Sequence, residues 1–173
     1  MRILLPIIFS IFISASGFSQ EKVGDLIPLA EVPESISLNE HADSYAKAVA
    51  AGDYVRVAEL THQEIVKMGG GADFIISDLK AEGDQLTSQG FKYVSTEVGT
   101  HPEFLKSNTE LQTVVPIKYY LNFQGKEVEA WSNLFACSTD EGVTWKFVNL
   151  EKFDDASLRE FVSNVSTDFV FPR

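Results

Sequence analysis

The spacing of apolar positions changes twice along the chain, and each change marks a boundary. Met1 to Gln20 hold an apolar run from Ile3 to Ile13, one basic residue (Arg2) and small residues at Ser14, Ala15, Ser16 and Gly17. That is the make-up of a secretory signal peptide, with cleavage expected near Ser19 or Gln20. The run is far shorter than the roughly 20 residues a spanning helix needs, so no membrane span is expected once the leader is removed. Residues 21–37 carry Pro28 and Pro33 and no period, which predicts an entry arm. Residues 38–173 then read as a single domain, exported to the periplasm or secreted.

Within that domain the first pattern is helical. Ser37-Leu38-Asn39-Glu40 has the form of a capping box, and Leu38, Ala42, Tyr45, Ala46 and Val49 follow at helical spacing up to Gly52. Asp53 predicts the cap of a second helix carrying Tyr54, Val57 and Ala58. Glu64 to Met68 reads as a short β-like segment closed by Gly69-Gly70-Gly71. A third helix is expected from Ala72 to Gln89, with Ile75, Ile76, Leu79 and Leu86 inward and Gly90 as its stop. After Gly90 the period becomes two, which predicts strands at 91–98, 111–123, 126–137 and 143–150. A loop containing Pro102 separates the first two, and a short helix begins near Asp154 or Asp155. Helices first and an antiparallel meander last make an α+β domain.

The two hairpins set a register. A two-residue turn at Gln124-Gly125 pairs Phe123 with Lys126, Tyr119 with Ala130, and Ile117 with Ser132. A loop from Ser138 to Val143 sets Ala136 opposite Trp145, Leu134 opposite Phe147, and Ser132 opposite Asn149. Both place Val115, Ile117, Tyr119, Leu121, Val128, Ala130, Leu134, Ala136, Val143, Trp145 and Phe147 on one face, toward the helices. Tyr119, Ser132 and Asn149 are the polar residues in that apolar field. With the aromatic Tyr45 and Trp145 they form a candidate ligand-binding set for a small apolar or amphipathic molecule. The alternative is a buried trio that satisfies itself. The opposite face places Lys118 over Trp131, with Phe135 nearby, and reads as a candidate homodimer surface or as ground covered by the C-terminal segment.

Charge and rare residues narrow the chemistry. A net charge of −11 and a pI near 4.6 exclude nucleic acid as a partner. Cys137 is the only cysteine, so no intrachain disulfide exists, and its place in an apolar strand marks it as a packing residue. His41, His62 and His101 lack metal-ligand spacing, and the triple glycine lacks the Lys-Ser/Thr of a phosphate loop. No cofactor and no metal are expected. The inward sheet positions carry no Asp, Glu or His, which argues against catalysis and for a non-catalytic binding module. A lyase or isomerase acting on a small carbonyl compound is the alternative, and it requires Asp73, Glu97 or His62 to reach Tyr119. A dimeric structural or interaction protein is the third reading.

Two resemblances bear on the fold. Ser138-Thr139-Asp140-Glu141-Gly142-Val143-Thr144-Trp145 resembles the Asp-box, a hairpin motif best known from sialidase blades, in which the Asp braces the turn and the Trp anchors the outgoing strand. The joint Tyr45-Ala46-Lys47-Ala48-Val49-Ala50-Ala51-Gly52-Asp53, the Ile65-Val66-Lys67-Met68-Gly69-Gly70 segment, Val114-Val115-Pro116 and Ser138 to Phe147 together resemble the nuclear transport factor 2-like superfamily. That resemblance implies a cystatin-like cone, with N-terminal helices in the concave face of a curved, mainly antiparallel sheet. It implies no one activity, because the superfamily hosts isomerases, dehydratases, epoxide hydrolases and binding modules.

Overall fold

A computed structural model describes residues 35–101, 104–108 and 110–172. The expected leader, its cleavage site and nearly all of the entry arm lie outside the described residues. The order is α1 (Ser35–Ala51), α2 (Tyr54–Leu60), α3 (Gln63–Met68), α4 (Ala72–Ser88), β1 (Phe91–Val98), β2 (Leu105–Ser107), β3 (Glu110–Phe123), β4 (Lys126–Ser138), β5 (Lys146–Asn149), a 3-10 turn (Leu150–Lys152) and α5 (Asp155–Phe161). The five strands form one antiparallel sheet in which β1 and β2 both border β3, followed by β4 and β5.

The helix signals hold with two corrections. Asp53 caps α2 by accepting from the Arg56 amide at 3.1 Å. α1, however, begins at Ser35, two residues before the expected cap. The Ser37 hydroxyl instead donates to the Val143 carbonyl at 2.8 Å and so ties α1 to the last hairpin. The segment after His62 is the helix α3 rather than a β-like stretch. His62 Nδ1 accepts from the Glu64 amide, Glu64 sits in the first turn and Lys67 in the last, and these end effects decide a segment too short to show a period.

The first hairpin has the expected register throughout, from Phe123 opposite Lys126 to Leu111 opposite Ser138. The second differs. Leu134 pairs with Asn149 and Ala136 with Phe147, so the connection is two residues longer than expected. Because side chains alternate along a strand, a slip of two preserves both faces. The slip does remove Val143 from the inner face, and that side chain is exposed in the turn. Pro116 lies in β3, where a missing N–H would cost a ladder bond. It sits between the stretch paired to β2, which ends at Gln112, and that paired to β1, which begins at Ile117. There the Pro116 carbonyl accepts from the Gly99 amide at 2.8 Å, just past the end of β1.

Two cores flank the sheet. On the inner face Leu38, Ala42, Tyr45 and Ala46 of α1 and Val57 and Leu60 of α2 pack against Val115, Ile117, Leu134, Ala136 and Phe147. On the outer face Phe135, Cys137 and Val148 are covered by Leu158, Val162 and Phe169. Phe135 is therefore buried, its ring 5.1 Å from that of Phe169, and is not part of an exposed patch with Trp131. Among the described residues no helix is long and apolar enough to cross a membrane.

Candidate functional site

The final hairpin is a rigid brace. Asp140 accepts from the Thr144 amide at 2.8 Å and the Thr144 hydroxyl at 2.6 Å, and the Ser138 hydroxyl receives the Gly142 amide at 2.8 Å. The bonds from Thr144 hold the Asp140 carboxyl down to about 2. Gly142 has φ of 90°, a conformation that favours glycine. The Trp145 indole donates to the Gly142 carbonyl at 2.9 Å and stacks on Phe104, with ring centroids 5.6 Å apart. Trp145 is fully buried there as core and does not line the cavity described next.

α4 creates the cavity. It is amphipathic, yet none of its residues is fully buried, and Ile75, Leu79 and Leu86 line a space of about 440 Å³, with Leu79 also touching the edge of the inner core. Such a volume is in the range of small-molecule sites. Gly83 holds the helix at this distance from α2: a Cβ there would fall 1.8 Å from the Tyr54 hydroxyl, which occupies the position. Sheet residues Tyr93, Tyr119, Leu121, Ala130 and Ser132 form the opposite wall.

Of the residues singled out in the sequence, Tyr45, Tyr119, Ser132 and Asn149 line this space. Ser132 donates to Asn149 Oδ1 at 3.2 Å, and the same oxygen accepts from the Glu151 amide at 2.9 Å to cap the 3-10 turn. Those two therefore satisfy each other across a diagonal of the β4–β5 pair. Tyr119 is not their partner. It belongs to a tyrosine cluster with Tyr93, 5.6 Å away between ring centroids, and with Tyr45, which packs on Phe147 at 5.5 Å. The three hydroxyls make no hydrogen bond to any described residue, and among the described residues no fully buried polar side-chain atom is left unpartnered. The phenol oxygens thus open onto the cavity. Burial raises the Tyr45 and Tyr119 phenols far above the ordinary range and takes Tyr93 up to about 12, and the charge of Glu82 adds to the effect at Tyr45 and Tyr93. All three are neutral donors at physiological pH.

Several lining groups escaped the sequence reading. Tyr93 and Val98 share the inner face although Val98 lies five positions after Tyr93, which strict alternation would put on opposite faces. A bulge at Val94 resets the alternation, with Tyr93 opposite Leu121 but Ser95 opposite Tyr120. Glu82 lies three residues after Leu79 and four before Leu86, on the same helical face, so its inward position was legible from that spacing. It accepts from Lys152 at 2.5 Å, and Asp78 is 3.7 Å from the same ammonium. Acidic groups therefore line the cavity from α4 and, through Glu151, from the 3-10 turn, not from the sheet. The three groups a catalytic reading named lie elsewhere: Glu97 receives the Tyr120 hydroxyl on the outer face, His62 caps α3, and Asp73 is exposed in the first turn of α4.

On the outer face Lys118 lies 5.2 Å from the Trp131 ring and 2.8 Å from Glu129, and Trp131 is 57% exposed. A second, polar depression contains His62, Glu110, Cys137 and Lys146. Burial pushes the Cys137 thiol up to about 12, which leaves it without thiolate character. Glu110 accepts there from Gln112 and Asn164, binding the C-terminal segment to β3. Among the described residues no group of three or more His, Cys, Asp or Glu side chains is placed to hold a metal ion. No family model matches the chain, and a comparison with curated proteins found no match.

Proposed function

We propose that this protein is an exported binding module of the nuclear transport factor 2-like kind, which holds a small, largely apolar molecule between α4 and the inner face of its sheet. One observation carries the reading: an apolar space of about 440 Å³ into which three unpartnered phenols open. Each of these hydroxyls is accessible within the space and can donate a hydrogen bond to an oxygen of a bound molecule. The lyase or isomerase reading is weaker, because the one carboxylate electrostatically coupled to Tyr45 and Tyr93, that of Glu82, is held by Lys152.

The test is titration with N-phenyl-1-naphthylamine, a neutral fluorophore that brightens in apolar surroundings. Saturable one-to-one binding is expected, and it should be lost in Ala130→Phe, which fills the cavity from the sheet. Absence of saturation, or equal binding in the filled variant, contradicts the reading.

A further inference from the structure

The lining of the cavity is graded in both polarity and charge. Its innermost residues are buried: Tyr45 and Tyr119 keep 5% and 7% of their surface, and Val57 and Phe147 none. Its charged residues are partly exposed and lie where the lining meets solvent. They are three carboxylates, Asp78, Glu82 and Glu151, and one ammonium, Lys152. Lys152 is already engaged by Asp78 and Glu82. Exposed apolar side chains, Met68 and Phe74, complete the rim.

We propose that the site selects uncharged apolar molecules bearing a single hydroxyl or carbonyl group, which docks against the tyrosine cluster, and that it excludes carboxylate-bearing amphiphiles such as fatty acids. The inference rests on the cavity being a ligand site and names its ligand class. An anionic head at the rim meets a net negative charge and finds Lys152, the one cation of the lining among the described residues, taken. An anionic head at the inner end is desolvated with no positive charge to offset it, since only neutral phenols are there. A neutral oxygen incurs neither cost and accepts the hydrogen bonds that Tyr45, Tyr93 and Tyr119 leave unused. The apolar rim gives its chain a route in.

The experiment is displacement of bound N-phenyl-1-naphthylamine, at pH 8 and below micelle-forming concentrations, by dodecanol and by dodecanoate, two ligands of equal chain length. Dodecanol is expected to displace the probe at a concentration at least about tenfold lower. In the double variant Asp78→Asn, Glu82→Gln, which frees Lys152, dodecanoate should gain most of that factor while dodecanol changes little. Raising the salt concentration in the wild type should narrow the gap as well, because charges at a partly exposed rim are screened. If the fluorophore itself does not bind, the cavity reading fails. If it binds and both compounds displace it equally well, the cavity reading stands and the selectivity is refuted. A gap that persists in the double variant and at high salt also overturns the proposed cause.

Discussion

α1 and α4 are both 17 residues long and both face the same side of the sheet, yet they are used differently. α1 buries Leu38, Ala42, Tyr45, Ala46 and Ala48, is tied to the last hairpin through Ser37, and closes the inner core at the end where Trp145, Phe104 and Phe147 are packed. α4 buries nothing completely and is linked to the far side of its cavity by ion pairs from Asp78 and Glu82 to Lys152. Exposed ion pairs of this kind contribute little stability. One end of the inner face is built for stability and the other for access. A ligand site needs both: a frame that does not yield, and a wall whose apolar face is only partly packed.

Substitutions can break this contrast. The largest expected effect is at the packed end, where Leu38→Ala should cost about 2–5 kcal/mol in urea unfolding. Leu86→Ala on α4 should cost less than about 1 kcal/mol, because its side chain borders the open space and lies outside the inner core. Equal losses would mean that α4 is core like α1.

The hairpin that braces the packed end gives a smaller effect with a characteristic pH dependence. Asp140→Ala removes the acceptor for the Thr144 amide and should cost about 1 kcal/mol. The folded carboxyl titrates at about 2, below its ordinary value, so its contribution is fully present above the unfolded value of about 3.9 and is lost as pH falls toward the folded one. The stability difference between wild type and Asp140→Ala should therefore be constant from pH 5 upward and shrink between about pH 4 and about pH 2. A constant difference across that acid range would show that the carboxylate does not act through those bonds.

The smallest change is expected from the substitution that would harm a filled core. Ala130→Phe adds a ring on the wall opposite α4. Overpacking in a tight interior costs about 1–3 kcal/mol, whereas here the melting temperature should stay nearly unchanged. A drop of many degrees in a thermal scan would show that the space is not available to a side chain.

How much of this was readable from the chain follows the physics of each signal. The β3–β4 pairing was readable because Gln124-Gly125 fixes a two-residue turn and the alternation on either side admits only one register. The β4–β5 pairing was readable only to the face. The Ser138–Trp145 motif identifies a hairpin and its bracing bonds, but residues 143–145 complete the turn and do not enter the ladder. Tyr93 was hidden by the bulge at Val94, which no local pattern announces. Phe135 alternates as an outward residue and is covered from far along the chain by Phe169, a contact that local periodicity does not encode. The polar set was found in part. Ser132 and Asn149 do bond to each other, while Tyr119 joins Tyr45 and Tyr93 around an opening that exists because α4 stands away from the sheet. Spacing shows which face of a helix is apolar, but not whether anything meets it.

Native-state hydrogen exchange of the unliganded protein, followed residue by residue in α1 and α4, is the direct test of that last point. Amides of α4 should exchange through openings much less costly than those that release α1, and saturating N-phenyl-1-naphthylamine should slow α4 while leaving α1 unchanged. Equal protection of the two helices, unaltered by the added probe, would contradict an open wall and with it the account of the site.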